Sequence, residues 1–102
     1  MVVTMVDYEL NELRREFLGE AREKVAEMQS ALESDRGSAT LERLAYLAHQ
    51  LKGSGGSYGY QRISDDAASL EKAIEEGRID GELATYVTSL ATEIDRAVAE
   101  LG

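Results

Sequence analysis

A chain of 102 residues has room for a single domain, residues 1–102, with a modest core that needs no covalent staples. It contains no cysteine and no proline, which excludes disulfides, thiolate chemistry and sulfur-ligated zinc and leaves its helices covalently uninterrupted. The net charge of −9 opposes binding to nucleic acid or to an anionic membrane surface.

At the N-terminus, Met1 to Val6 is far shorter than a secretory apolar region, lacks a basic flank and runs straight into Asp7, Glu9 and Glu12. No stretch approaches the roughly 18 apolar residues of a membrane span. A soluble protein is expected, and the lack of cysteine suits a reducing cytoplasm. Thr4 and Asp7, three residues apart, resemble a capping box for a short lead-in helix.

The first long helix is marked by Leu10, Leu13, Phe17, Ala21, Val25, Met28 and Leu32, recurring at steps of three and four. Leu18 falls outside that set and is expected on the surface, beside core Phe17, either as an ordinary surface leucine or as part of a docking patch. The helix is expected to fray over Ser34 to Gly37. Ser38 is then a suitable N-cap for a second helix, whose apolar face reads Leu41, Leu44, Ala48, Leu51, Gly55 and Tyr58. Ile63 lies about 100° out of that phase, so the helix is expected to end near Gly59, a natural left-handed C′ residue.

A third helix carries Ile63, Ala67, Leu70 and Ile74 and is stopped by Gly77. Asp65 and Asp66 read as its solvated start, favoured by the helix dipole. Asp80 can cap a fourth helix, with Leu83, Val87, Leu90, Ile94, Val98 and Leu101 on one stripe. Four amphipathic helices joined by short polar loops predict an all-α, antiparallel up-down four-helix bundle with a short N-terminal lead-in helix.

Two features of the second helix call for a chemical explanation. The first is charge. Residues 1–35 sum to −5 and residues 63–102 to −7, whereas residues 36–62 sum to +3 and contain the only histidine, His49. The second is the run Gly53-Ser54-Gly55-Gly56-Ser57. In composition it is a flexible linker, but in phase it continues the helix. Each glycine there costs up to about 1 kcal/mol relative to alanine, so close packing or a function must explain them. The run is not a phosphate-binding loop, because its lysine precedes it and no Gly-Lys-Ser/Thr closes it.

On a helical wheel His49 points about 130° away from the apolar face, which places it on the solvent side. Gly53 and Gly56, at i+4 and i+7, share its side of the helix and leave open space beside the ring, while Lys52 at i+3 flanks it. Histidine side chains titrate near 6.5, so a neutral imidazole is available near pH 7. Its nitrogen can attack an activated phosphorus in line, with a lysine offsetting charge on the equatorial oxygens. One histidine and no cysteine argue against a transition-metal site.

The run Ala48-His49-Gln50-Leu51-Lys52-Gly53-Ser54, followed by Tyr58-Gly59, resembles the signature of histidine-containing phosphotransfer (HPt) domains of two-component relays. Ile63, Leu70 and Glu71 resemble the family's following helix. The resemblance implies a four-helix bundle whose exposed histidine takes phosphate from the aspartate of one receiver domain and gives it to another, without kinase activity of its own. Carried onto this chain, His49 is the phospho-acceptor, Lys52 assists the phosphoryl group, Gly53 provides clearance and Gly59 turns the chain into the next helix. Gly55 and Gly56 stand where serine or alanine is more usual. Tyr60 is bulkier than the residue usual after that glycine and is expected in the docking surface, with Gln50 and Gly56.

The implied partners are response-regulator receiver domains and a sensor or hybrid histidine kinase. No cofactor of its own is expected, magnesium being brought by the receiver, and a monomer is expected. The ends at Met1 and Gly102 suggest a free-standing protein. A substrate domain of a chemotaxis-type histidine kinase and a non-catalytic helical adaptor are the alternatives.

Overall fold

The computed structural model describes residues 7–34, 37–78 and 81–102. Over these residues the chain forms four helices, α1 (Asp7–Ser34), α2 (Ser38–Ser57), α3 (Gln61–Glu75) and α4 (Gly81–Leu101), and no strand. Each helix packs against its two neighbours in the cycle α1–α2–α3–α4, while the backbones of the diagonal pairs stay apart. This is the expected up-down four-helix bundle. The lead-in helix suggested by Thr4 and the Asp80 cap lie outside the described residues. No helix among the described residues is long and apolar enough to cross a membrane.

The core is aliphatic. Met28, Leu44, Leu51, Leu70, Leu83, Leu90 and Ile94 are fully buried, and each such side chain removed from water contributes about 1.5–3 kcal/mol before entropy is counted. Two expectations on α1 are reversed: Leu18 is 1% exposed, whereas Leu13 is 36% exposed. The reason is rotational drift. Successive steps of four advance about 40° each, so Leu13 stands about 120° from Val25, while Leu18 lies within about 20° of it. Leu47, outside the expected face of α2, is also buried.

Helix ends explain the two tight turns. At the end of α2 the N–H of Tyr60 donates to the Gly55 carbonyl (2.8 Å) and that of Gly59 to the Gly56 carbonyl (3.1 Å), with Gly59 at φ +85°. This is a Schellman closure, which requires a left-handed residue at C′. The end of α3 repeats it: Arg78 donates to the Ala73 carbonyl and Gly77, at φ +76°, to that of Ile74. The start of α2 differs from expectation. Gly37, in extended conformation, is the cap residue and makes no side-chain capping bond, while Ser38 is already helical. Asp66 is also not merely a solvated helix start, because it accepts a 2.6 Å hydrogen bond from Ser89 Oγ on α4.

Glycine in α2 has two distinct explanations. A Cβ on Gly55 would lie 3.2 Å from the Ser64 backbone nitrogen, 3.3 Å from Ile63 Cγ2 and 3.4 Å from the Tyr60 carbonyl oxygen. This glycine lets α3 start against α2. A Cβ on Gly53 would meet nothing within 4 Å. Aromatic packing fastens the same end of the bundle to α1: Phe17 stacks on Tyr58 at 5.1 Å and on Tyr60 at 5.9 Å, and Arg14 Nε donates to the Tyr58 carbonyl at 3.2 Å.

The two glycines should therefore respond oppositely to substitution. Gly55→Leu is expected to lower unfolding stability by about 1–3 kcal/mol through overpacking, and Gly53→Ala to raise it by up to about 1 kcal/mol through helix propensity. Urea denaturation followed by circular dichroism measures both.

Candidate phosphoryl-accepting site

His49 stands on the outer side of α2 because the core-facing positions Leu44, Leu47, Ala48 and Leu51 fix the rotation of the helix. Its side chain is 66% exposed. The ring is not free to swing, however: Nδ1 lies 3.0 Å from Glu71 Oε2, on the neighbouring helix α3. The other carboxylate oxygen of Glu71 accepts a 2.9 Å hydrogen bond from Lys52 Nζ. Glu71 is 16% exposed, and Lys52 is 41% exposed. One carboxylate thus ties together the imidazole and the ammonium, which sit one turn apart on α2.

The hydrogen bond from Lys52, chiefly, and that from His49 hold the Glu71 carboxyl below the usual carboxylate range, against partial burial, which pushes it up. An ionised carboxylate accepts hydrogen bonds and donates none, so Nδ1 carries the imidazole proton. In the neutral ring Nε2 then keeps its lone pair. The proton is thereby placed on the Glu71 side of the ring, and the unprotonated Nε2 belongs to an imidazole that is largely exposed.

Glu71 holds this position because α3 runs close along α2. Besides the contact at Gly55, Ser64 Oγ donates to the Lys52 carbonyl at 2.8 Å. That bond fastens the first turn of α3 to the backbone of the residue that grips Glu71. Leu70, fully buried, fixes the rotation of α3 so that the next residue, Glu71, emerges at the α2 side.

On its other flank His49 borders a shallow depression of about 540 Å³, lined also by Gln50, Gly53, Ser54, Ser57 and Tyr58 of the α2 segment and by Lys24 of α1. Gln50 is held by a 2.9 Å hydrogen bond from its Nε2 to Tyr46 Oη. The structure therefore brings together His49, Gln50, Lys52 and Gly53. It does not bring Gly56 or Tyr60 to them. The Cβ direction of Gly56 faces Ser64 Oγ at 3.6 Å, two turns and about 10 Å along the axis from His49. Tyr60 lies at the end of the bundle, on Phe17 and under Arg14, whose guanidinium carbon is 5.9 Å from its ring centre. Reasoning within one helix gave no contact role to Glu71 or Lys24, which reach the site from α3 and α1.

The chain was compared with known proteins. A model of the Hpt domain family matches residues 12–101. A search of curated proteins and one of solved structures each returned no match. The family match spans most of the chain, and the protein belongs to the Hpt domain family. Hpt domains serve phosphotransfer in two-component signalling, and they interact with kinases and response regulators.

The Glu71 network sets a pH dependence. A carboxyl whose folded pKa is depressed adds stability above its unfolded value, near 4.3, and that stability is lost as pH falls through the lower folded value. Glu71→Gln is expected to cost a few tenths to about 1 kcal/mol at pH 7 for this partly exposed pair and to lose little more on acidification, whereas the native chain loses that increment. Thermal melts at pH 7 and pH 3 measure the difference. Nitrogen-15 shifts of His49 should report Nδ1–H in the native chain and a mixed tautomer in Glu71→Gln.

Proposed function

We propose that the protein is a phosphorelay carrier whose His49 accepts a phosphoryl group from the aspartate of one receiver domain and passes it to another. The observation that carries this reading is an exposed imidazole whose inner nitrogen is engaged by an ionised carboxylate. In the forward step the Nε2 lone pair attacks phosphorus in line, and a P–N bond forms. The P–O bond to the receiver's aspartate breaks, and that carboxylate leaves with the electron pair. Positive charge developing on the ring is balanced by Glu71 through the Nδ1–H hydrogen bond, a preorganised interaction that strengthens as the ring becomes cationic. In the second step an aspartate of another receiver attacks the same phosphorus, and Nε2 regains its lone pair.

The receiver would bring magnesium of its own, which would supply charge neutralisation for the transferring phosphoryl group, as metal ions do in phosphoryl transfer generally. The open space at Gly53 supports close approach of the receiver to Nε2. In this reading Lys52 assists the phosphoryl group once it turns from Glu71. The carboxylate contact at Nδ1, which leaves Nε2 of an exposed ring unprotonated, favours a carrier over an adaptor without chemistry.

Incubation with a phosphorylated receiver and magnesium tests this. An acid-labile, alkali-stable label on the native chain, absent from His49→Gln, is the expected result; a native chain that acquires no label with any receiver overturns the relay. Gly53→Leu should keep the helical circular dichroism spectrum and slow transfer by about tenfold or more, since a bulky side chain obstructs in-line approach.

A further inference from the structure

Lys52 is not the only cation beside His49. Lys24, on α1, lines the same depression as the imidazole, together with Gly53 and Ser54 of α2. The two lysines differ in what holds them. Lys52 Nζ is bonded to Glu71 at 2.9 Å, whereas Lys24 has no hydrogen-bond or ion-pair partner among the described residues. No acidic side chain lines the depression, in a chain that carries 20 Asp and Glu against 11 Lys and Arg.

Direction matters as well. Nδ1 turns to Glu71 on α3, one neighbour of α2, while Lys24 stands on α1, the other neighbour. A group attached at Nε2 is therefore on the far side of the ring from Glu71. Lys24, half-buried and without an ion-pair partner among the described residues, lines the depression on the α1 side. Resting on the relay reading, we infer that Lys24 is a phosphoryl-contacting residue. It supplies the uncommitted positive charge that receives the dianionic phosphoryl group on His49 and the acidic rim of the visiting receiver pocket. Lys52, by contrast, first holds Glu71 and through it the ring.

This division assigns separate effects to the two lysines. A long-range charge facing the partner raises the rate of productive encounter, and its influence fades as salt screens it. A charge next to the bound phosphoryl group also favours its dianion and lowers the pH at which that group titrates.

The test compares native chain, Lys24→Met, which keeps an unbranched side chain against α2, and Lys24→Arg, each labelled by a phosphorylated receiver with magnesium. Lys24→Met is expected to melt within a few degrees of the native chain and to lower kcat/KM for transfer about five- to tenfold at low salt. The deficit should shrink toward unity at 0.5 M salt, and Lys24→Arg should restore most of the rate. The phosphorus-31 resonance of phosphorylated His49 should titrate at higher pH in Lys24→Met than in the native chain. A labelled native chain with Lys24→Met indistinguishable from it in rate, salt dependence and phosphorus titration overturns this inference alone. A native chain that never labels overturns the relay reading, and this inference with it.

Discussion

The contact between α2 and α3 sets the geometry of the site. At Gly55 the two backbones approach so closely that a Cβ would lie 3.2 Å from the Ser64 nitrogen, and eight residues further on, counted from Ile63, Glu71 emerges beside His49. A third of a turn of rotation in α3, or an ångström of separation, would take its carboxylate out of hydrogen-bond range of the imidazole. The Ser64 bond to the Lys52 carbonyl and the Schellman turn at Gly59 hold that approach from two sides. Such close packing is stiff, so the position of the imidazole proton depends on the first turn of a different helix.

The carboxylate acts on both of its partners. It fixes the tautomer of the ring, and it occupies the ammonium of Lys52. A histidine held this way resembles a nucleophile in its electronic arrangement and a structural residue in its order, yet remains 66% exposed. The nearby ammonium of Lys52 is engaged by the same carboxylate.

Pairing also changes the meaning of the charge map. Along the chain, residues 36–62 are the only cationic stretch. In three dimensions Arg43 is bound by Glu27 through two hydrogen bonds of 2.6 and 3.1 Å, and Lys52 by Glu71. Much of that positive charge is therefore matched locally. Arg43 also lies over the ring of Tyr46 at 5.5 Å, and Tyr46 receives the bond from Gln50. An ordered polar ridge thus runs along α2 up to the edge of the depression.

Periodicity revealed the helices, their ends at Gly59 and Gly77 and the outward direction of His49, because each of these depends on rotation of about 100° per residue within one helix. The same rule, applied as steps of four across 12 residues, misplaced Leu13 and Leu18 through accumulated drift. The glycine run posed a choice between close packing and clearance, and the packed bundle assigns the first to Gly55 and the second to Gly53. Glu71 and Lys24 have no periodic relation to His49, since they belong to other helices and their approach depends on how those helices pack. What could be read from the order of residues was therefore the identity and exposure of the outward-facing ring. Its hydrogen-bond partner, its tautomer and the depression on its open side came only with the assembled bundle, because contacts between helices are set by packing across the core and not by spacing along the chain.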